Sequence, residues 1–219
     1  MFKLKHGVDG RMERFNGGLV VKGHAQKYGI DFDEIFSPVV RFSSIRLLLA
    51  FVVQHDLQLH HVDVETAFLN GKRDEEIYMQ QLEGYVKPGE EHLACKLGKS
   101  LYGLKQSSRC GNKAFKDSVE KLGFTQASAD PCVFIRKTDT LTIIAIHVDD
   151  LMILAENVLE MQRLKGSLKV QFKMKDVKKL HYYVGFCIVQ DKKRKQVYLH
   201  QRQYIEKMLK MFVTEELMY

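Results

Sequence analysis

The chain has 219 residues, 45% of them hydrophobic and 28% charged, a composition typical of a folded domain and not of a disordered or fibrous chain. No apolar run approaches the roughly 18 residues that a membrane span needs, and the N-terminus lacks the apolar core of a signal peptide. The four cysteines lie far apart without a Cys-x-x-Cys pair, which excludes a zinc ribbon and gives no disulfide framework. We therefore expect no membrane partner and a reducing location, cytoplasmic or nuclear.

The net charge of +7 is unevenly distributed along the chain. Residues 161–210 contain 14 lysines and arginines against three acids, and the rest of the chain has 20 cations and 24 anions. This basic segment indicates either a polyanion lying along it or a solvated helical face, and charge alone does not separate the two interpretations.

Helical and strand-like patterns are interleaved, after a Gly-rich opening of about 28 residues that predicts strands and turns. Apolar periodicity predicts four helices: one capped by Ser43 or Ser44, one from Ser107 or Ser108 to Gly123, one from about Asn157 to Phe172, and one with Ile205, Met208, Leu209 and Phe212 on its apolar face. Branched apolar residues predict strands at residues 57–64, 132–136, 141–148, 151–154, 181–189 and 196–200. Because short turns join neighbouring strands, the pattern predicts an α+β fold with an antiparallel sheet.

A pair of carboxylates, Asp149 and Asp150, lies between two apolar strand-like segments. An Asp pair at a hairpin tip is ordinary turn chemistry, and the alternative is a rigid hairpin that presents both groups to a hard cation such as Mg²⁺. That alternative needs a third acid, which Asp63 supplies from a strand-like segment where an unpaired charge is costly to bury. Three carboxylates on adjacent strands could hold two divalent ions for phosphoryl transfer. Spacing leaves both interpretations open.

The neighbouring His60 and His61 would face opposite sides of a strand and could not chelate one ion together.

Five ordered motifs resemble those of copia-type retrotransposon reverse transcriptases. They are YGIDF at 28–32 with FSPVVR at 36–41, DVETAFLNG at 63–71, LYGLKQ at 101–106, VDD at 148–150 and FKMKD at 172–176. The resemblance covers about residues 10–213, and five motifs in the family's order make chance agreement improbable.

The resemblance implies an α+β, right-hand polymerase fold in which an antiparallel-sheet palm is accompanied by fingers and the beginning of a thumb. It places one reverse transcriptase domain over residues 1–213, with fingers at about 1–56 and 70–106, palm at about 57–69 and 107–180, and a primer-grip hairpin and partial thumb at about 181–219. The activity implied is RNA-directed DNA polymerisation. The partners implied are an RNA or DNA template with its primer and deoxynucleoside triphosphates.

The resemblance also implies roles for individual residues. The catalytic carboxylates, which would hold two Mg²⁺ ions, are Asp63, Asp149 and Asp150. The nucleotide-binding residues would be Phe68, Tyr102, Gly103 and Lys105, with Phe68 under the sugar, where it would exclude a ribose. The primer- and template-binding residues would be Arg41, Arg46, Gln106, Tyr183, Val184 and Gly185.

Several positions depart from the pattern of the family that the chain resembles. Members usually carry Lys and Arg where this chain has Asn16 and Gly18, and Pro and Trp where it has Ser108 and Gly111. We also expect the chain to end early in the thumb, without the RNase H and integrase regions of a parent polyprotein. These departures predict a degenerate fragment with little or no activity. The alternatives are a catalytically dead remnant that binds nucleic acid or a partner protein, and another metal-dependent phosphoryl-transfer enzyme such as a nuclease.

Overall fold

The computed structural model describes residues 2–6, 12–65, 71 and 75–212 of the chain. The strands are β1 (Phe2–His6), β2 (Met12–Gly17), β3 (Gln58–Val64), β4 (Tyr78–Gln80), β5 (Ala94–Lys96), β6 (Thr125–Gln126), β7 (Val133–Lys137), β8 (Leu141–His147), β9 (Asp150–Ala155), β10 (Met174–Lys179), β11 (Tyr182–Tyr183), β12 (Phe186–Asp191) and β13 (Gln196–His200). The helices are α1 (Phe42–His55), α2 (Ser107–Lys121), α3 (Val158–Gln171) and α4 (Arg202–Phe212), with a 3-10 turn at Gly23–Ala25. Helices and antiparallel sheets are thus combined, which confirms the predicted α+β class. Within these residues, no helix has the length and apolar character to span a bilayer.

The chain divides into two compact units, each made of two stretches of sequence. The first unit comprises Met1–Ser37 and Thr66–Asp117, and the second comprises Pro38–Glu65 and Ser118–Tyr219. Helix α1 therefore lies in the second unit.

The second unit is built on a six-stranded sheet in the order β10-β3-β9-β8-β7-β6, with every neighbouring pair antiparallel. Its central strands β8 and β9 carry side chains that are completely buried, among them Ile144, Leu151 and Ile153. Helix α3 contacts β9 and buries Leu164 and Leu168. Branched apolar residues fit strands that are covered on their faces, because their stiff side chains pack well on the pleated surface.

The helix boundaries follow the predicted signals in two cases and depart from them in one. Helix α2 begins at Ser107 as predicted, and α3 is capped by Asn157, whose Oδ1 accepts the Glu160 N–H at 2.8 Å. Helix α1 begins at Phe42, and its N-cap residue Arg41 makes no side-chain cap bond. The predicted capping role of Ser43 or Ser44 is wrong, because Ser44 Oγ instead donates to the buried Asp130 carboxylate at 2.6 Å.

The C-terminal elements of the second unit are more exposed than the sequence pattern predicts. Strands β11, β12 and β13 form a separate three-stranded sheet. The amphipathic helix α4 follows it, and none of its residues is buried. The predicted apolar face of α4, with Ile205, Leu209 and Phe212, is therefore exposed.

The first unit contains two small antiparallel pairs, β1 with β2 and β4 with β5. A small apolar cluster forms where Ile77, Leu97 and Leu104 are buried together. Local order in this unit therefore depends on loops and short pairings more than on a broad sheet.

Candidate active site

The strand register of the second unit brings the three predicted carboxylates together. Strand β8 ends at His147 and β9 begins at Asp150, so Val148 and Asp149 form a two-residue hairpin turn. On the other side of β9, Asp150 is paired with Asp63 of β3. Directly paired residues point to the same face of a sheet, and the Asp149 carbonyl also accepts the Val64 N–H at 2.8 Å. Asp63 and Asp150 are therefore paired neighbours, and Asp149 lies in the adjoining turn.

The hairpin turn that presents Asp149 has an unusual backbone. Val148 has a φ of 61°, in the left-handed region that a β-branched side chain strongly disfavours. Two-residue hairpin turns need positive φ values because their twist must match that of the strands. The pairing of β8 with β9 holds Val148 in this conformation, which is the kind of local strain found at functional sites.

Electrostatic repulsion accompanies this convergence. Burial raises the pKa of the Asp63 carboxyl, and the neighbouring Asp150 raises it further. Burial also raises the pKa of Asp149, with additional repulsion from Asp150 and Asp63. His61 and Lys175, which is paired directly with Asp63, offset the rise in the pKa of Asp63 only in part, and His147 does the same for Asp149. The arrangement concentrates negative charge that a bound cation would stabilise.

Asp150 differs from the other two carboxylates because protein groups already engage it. Its Oδ1 lies 2.6 Å from His61 Nε2. The His61 ring meets the Tyr183 ring edge to face with centroids 5.8 Å apart, and the Tyr183 hydroxyl donates to the carbonyls of Ala145 at 3.4 Å and Asp150 at 3.3 Å. Burial strongly raises the pKa of Tyr183, so its hydroxyl remains a donor. His61 and Tyr183 therefore fix the position of Asp150 from two sides.

The donor set fits a hard divalent cation through two of the three residues. Among the described residues, no three His, Cys, Asp or Glu side chains are arranged as a ready metal site. Because Asp150 is directed toward His61, the remaining oxygen donors are Asp63 and Asp149. Mg²⁺ is commonly bound by one or two carboxylates together with waters and substrate phosphates, so these two residues suit it.

The predicted primer-grip residues occupy the turn between β11 and β12. Tyr183 is paired with Phe186, and the intervening Val184 and Gly185 have φ values of 47° and 82°. The Tyr183 ring is buried, whereas Val184 and Gly185 are half-buried. Any contact that this turn makes with a ligand would therefore use its backbone more than the Tyr183 side chain.

Arg41 and Arg46 are both exposed in the second unit. The Arg41 N–H is held by Asp130 Oδ2 at 3.0 Å, and the preceding Val40 N–H donates to the Ile146 carbonyl at 3.2 Å. Ile146 lies one residue before His147, the last residue of β8, so the backbone at Arg41 is tied to the strand that leads to Asp149.

The predicted nucleotide- and template-binding residues of the first unit form a compact loop. Gln106 is completely buried, its Nε2 donates to the Asp31 carbonyl at 2.8 Å, and its Oε1 accepts from Gln26 Nε2 at 3.1 Å. Its side chain therefore holds the loop together. Lys105 is exposed, and its Nζ lies 4.6 Å from the centre of the Phe32 ring.

Backbone contact fixes the same loop at Tyr102 and Gly103. The Tyr102 carbonyl accepts the Val21 N–H at 2.8 Å. Gly103 has a φ of 94°, and a Cβ there would lie 2.1 Å from the Val21 carbonyl oxygen. Only glycine fits this position. The predicted Phe68 lies outside the described residues.

Sequence reasoning missed two neighbours of the carboxylates, His61 and Lys175. The spacing of His61 and Asp63 by two residues does place them on one face of a strand, but the His61 partner comes from β9. Lys175 becomes a neighbour of Asp63 only through the pairing of β10 with β3. These contacts depend on register, which local patterns do not specify.

Comparisons with known proteins agree with this architecture. A family model described as reverse transcriptase (RNA-dependent DNA polymerase) matches residues 1–217. The retrovirus-related Pol polyprotein from transposon TNT 1-94 of Nicotiana tabacum is 41% identical over 214 residues, which are 97% of this chain and 16% of that protein. The corresponding polyprotein from transposon RE1 of Arabidopsis thaliana is 32% identical over 208 residues, which are 94% of this chain and 14% of that protein.

A third relative, the putative transposon Ty5-1 protein of Saccharomyces cerevisiae, is 34% identical over 130 residues, which are 59% of this chain and 42% of that protein. The chain spans only 16% of the length of the TNT 1-94 polyprotein and 14% of that of the RE1 polyprotein. The family match covers nearly its whole length, and the chain therefore belongs to the reverse transcriptase (RNA-dependent DNA polymerase) family, as a domain of the kind found in copia-type retrotransposon Pol polyproteins.

Proposed function

We propose that the chain is an RNA-directed DNA polymerase domain whose metal ligands are Asp63 and Asp149, with Asp150 beside them, and that its activity is weak or absent. The observation that carries the polymerase part is the register that pairs Asp63 with Asp150 and places Asp149 in the adjoining turn. Mixed helices and antiparallel sheets are compatible with a right-hand polymerase. In that arrangement the first unit would supply fingers, and the second would supply the palm, the primer-grip hairpin and the beginning of a thumb.

The chemistry that two bound Mg²⁺ ions supply in such a site is activation of the primer 3′-hydroxyl and neutralisation of charge on the leaving pyrophosphate. The residues of this chain would position the reactants. Asp63 and Asp149 offer the oxygen donors, and His61 keeps Asp150 in place beside them. The backbone at Val184 and Gly185 would hold the primer end. These roles place the catalytic hairpin and the primer end within one unit.

Cations and loops outside this hairpin would complete substrate binding. The exposed Arg41 and Arg46 would contact the phosphates of a primer or template strand. In the first unit, Lys105 with the backbone of Tyr102 and Gly103 would face the nucleotide, with Gln106 supporting that loop. Phe68 would select deoxyribose. The partners would be an RNA or DNA template with its primer and deoxynucleoside triphosphates, in the cytoplasm or nucleus, and RNase H and integrase would belong to other regions of a parent polyprotein.

The proposed loss of activity rests on positions that differ from the family pattern. Asn16 and Gly18 carry no charge to hold a triphosphate, although a Cβ added at Gly18 would meet no atom within 4 Å. Helix α2 runs through Gly111 without interruption, so the helix is retained while a large side chain is missing. A shift of about 1 Å in the reacting atoms can reduce a rate roughly 100-fold. Several such losses should therefore compound at the chemical step.

The test of the proposal is primer extension on a homopolymer template, with the chain, its Asp149→Asn variant and a matched Asp139→Asn control from the exposed β7–β8 turn. We expect at most trace extension by the chain, and any extension should disappear in Asp149→Asn and persist in Asp139→Asn. Vigorous extension that depends on Asp149 would contradict the proposed loss of activity. Extension that survives Asp149→Asn would contradict the assigned site.

A restored variant separates a weakened enzyme from a catalytically dead remnant. The variant combines Asn16→Lys, Gly18→Arg, Ser108→Pro and Gly111→Trp, and proline is tolerated at Ser108 because it lies in the first turn of α2. Gain of Asp149-dependent extension would support the polymerase assignment. Continued inactivity of a folded variant would favour the remnant.

The basic segment could bind nucleic acid under either interpretation, with or without catalysis. Residues 161–210 contain 14 cations and three acids, so their binding should release counterions and weaken steeply with salt. We expect fluorescence anisotropy to show at least a roughly tenfold loss of affinity between about 50 and 200 mM salt. Affinity that is independent of salt, or unchanged when Lys192, Lys193 and Lys195 are replaced by Gln, would exclude binding through this segment.

A further inference from the structure

A cavity of about 200 Å³ lies in the second unit, at the other end of β3 from the catalytic Asp63. Gln58 lines it and pairs with Ala155, whereas Asp63 pairs with Asp150 five residues further along both strands. At about 3.4 Å per residue, the two places are about 17 Å apart. The cavity is therefore distinct from the carboxylate site.

Three segments of backbone build the walls of this cavity. The Leu180 N–H donates to the Leu59 carbonyl at 3.4 Å, which joins the end of β10 to β3. The Ile188 N–H donates to the His181 carbonyl at 2.8 Å, which adds β12. Lys192, which lines the cavity, contacts Asp56 Oδ1 through its Nζ at 2.9 Å. The cavity is thus held by elements whose backbones are bonded to one another and is not a gap between mobile side chains.

The polar lining of the cavity is cationic and rich in donors. Lys179 and Lys192 carry positive charge, that of Lys192 being paired with Asp56, and His181, Gln58 and Gln190 add groups that can donate hydrogen bonds. Among the described residues that line the cavity, none is acidic. The nearby Asp191 is engaged in its own turn, where its Oδ1 accepts the Arg194 N–H at 3.0 Å. Such a lining suits an anion that accepts several hydrogen bonds.

We propose that this cavity binds a phosphoryl group. Its volume of about 200 Å³ is below the roughly 300–1,000 Å³ of most small-molecule pockets, so it admits a small phosphate-bearing group and excludes a duplex. The phosphoryl group would be either a free phosphate or pyrophosphate, or the 5′-terminal phosphate of a nucleic-acid strand. Binding of a phosphoryl group in this cavity requires neither functional carboxylates nor the proposed polymerase activity.

Isothermal titration calorimetry of the full chain with inorganic phosphate and with pyrophosphate tests the site. EDTA is included so that no metal bridges the ligand to the carboxylates. The cavity variant is Lys179→Gln with Lys192→Gln, and the matched control is Lys193→Gln with Lys195→Gln, which removes the same charge from the adjoining turn. We expect the cavity variant to weaken binding at least about tenfold and the control to change it less than about twofold.

Binding that is undetectable at about 10 mM pyrophosphate, or lost equally in both variants, would overturn the proposal. The exposed Lys192–Asp56 pair is worth little to stability, and thermal unfolding of the cavity variant verifies that the fold is retained. Lys179→Gln alone leaves that pair in place and should weaken binding in the same direction. Asp149→Asn should bind pyrophosphate like the unchanged chain, even if the polymerase proposal fails.

Two oligonucleotides of one sequence, one 5′-phosphorylated and one 5′-hydroxylated, distinguish the two sources of the phosphoryl group. Tighter binding of the phosphorylated strand, lost in the cavity variant and competed by pyrophosphate, would identify a strand end. Equal binding of the two strands, with phosphate binding retained in the calorimeter, would identify a free ligand. Failure of pyrophosphate both to bind and to compete would contradict the site.

Discussion

The carboxylate hairpin of the second unit and the loop at residues 102–106 of the first unit are held by different contacts. The hairpin joins β8 and β9 of a six-stranded sheet, and Ile144 of β8 and Leu151 of β9 are completely buried. The loop depends on a close backbone approach at Gly103 and on the buried amide of Gln106. One region is fixed by strand register and the other by individual backbone contacts.

This difference teaches that the two regions should fail in different ways. A sheet with a large apolar core can tolerate a polar change at its exposed edge, because most of its stabilising burial lies elsewhere. A loop built around a glycine contact has no comparable buried core, and a single added methyl group would collide with backbone atoms. The predictions below separate the two regions by the effect of single substitutions.

The largest effect on stability is expected for Gly103→Ala. A Cβ at this position would lie 2.1 Å from the Val21 carbonyl oxygen, and the φ of 94° is unfavourable for alanine. Left-handed strain and overpacking together should cost about 2–4 kcal/mol of the free energy of unfolding, measured by urea denaturation. Hydrogen exchange should show lost protection at residues 19–26 and 101–106 and retained protection in β8 and β9.

Gly18→Ala is the control for that experiment, because no atom lies within 4 Å of the added Cβ. Its free energy of unfolding should stay within about 0.5 kcal/mol of the unchanged chain. If Gly103→Ala were equally mild, the close backbone contact would not hold the loop.

A smaller loss, localised to the second unit, is expected for Lys165→Met. Lys165 is buried, and its Nζ contacts His60 Nδ1 at 2.6 Å and Asp176 Oδ1 at 2.7 Å, which ties α3 to β3 and β10. Breaking this cluster leaves Asp176 without its cation and should cost about 2 kcal/mol. The exposed Lys169→Met on the same helix should have little effect. Equal stability of the two variants would show that the cluster does not stabilise the packing of α3 on the sheet.

The same cluster should make stability fall on acidification. Burial would raise the pKa of Asp176, but the hydrogen bonds from Lys165 and the Lys178 N–H outweigh it and lower the pKa. A lowered carboxyl pKa contributes stability above the usual value of 3.8 that is lost as pH falls through the folded value. Burial and Lys165 lower the pKa of His60, so stability also decreases as pH falls below 6.5. Denaturation at several pH values should show the Lys165→Met difference shrinking below 3.8.

An intermediate effect is expected where Asp130 joins α1 to β7. Its carboxylate accepts the Arg41 N–H at 3.0 Å, the Ser44 hydroxyl at 2.6 Å and the Cys132 N–H at 2.9 Å. Asp130→Asn should cost about 1–2 kcal/mol because an amide oxygen replaces a charged acceptor. Asp139→Asn, at an exposed turn, is the control. A thermal shift as small as that of the control would show that the link between α1 and β7 is weak.

The smallest effect on stability, of opposite sign, is expected for Asp149→Asn. Burial and the neighbouring Asp150 and Asp63 raise the pKa of Asp149, so its charged form destabilises the folded chain above the usual value of 3.8. The variant should be more stable at neutral pH by about 1 kcal/mol or less. The gain in stability should disappear below that pH, where the carboxyl is protonated in both the folded and the unfolded chain. A loss of stability at neutral pH would contradict the repulsion described for the three carboxylates.

Local patterns predicted the elements whose signals are contained in a short stretch of sequence. The Asn157 cap and the start of α2 at Ser107 are examples, because capping and helical periodicity act within a few residues. The cap of α1 was predicted wrongly because the partner of Ser44 is Asp130, 86 residues away. The apolar face of α4 was recognised, but periodicity did not show that it would remain exposed.

For the candidate site, resemblance selected Asp63, Asp149 and Asp150, whereas spacing alone left a simple hairpin turn open as the alternative. The contact between His61 and Asp150 depends on pairing between strands that are 89 residues apart in sequence. The burial of Gln106 likewise depends on Gln26 and Asp31, which no local pattern connects to it. Long-range register and loop packing are therefore the parts that the sequence pattern did not supply.

The central claim is that strand register makes Asp63 and Asp149 a divalent-cation site. Electron paramagnetic resonance of Mn²⁺, which reports the fraction of free ion, measures this binding without any need for polymerase activity. We predict Mn²⁺ binding that weakens at least about tenfold in Asp63→Asn and in Asp149→Asn and is unchanged in Asp139→Asn. Binding that is the same in all four proteins, or absent from the unchanged chain, would contradict the account.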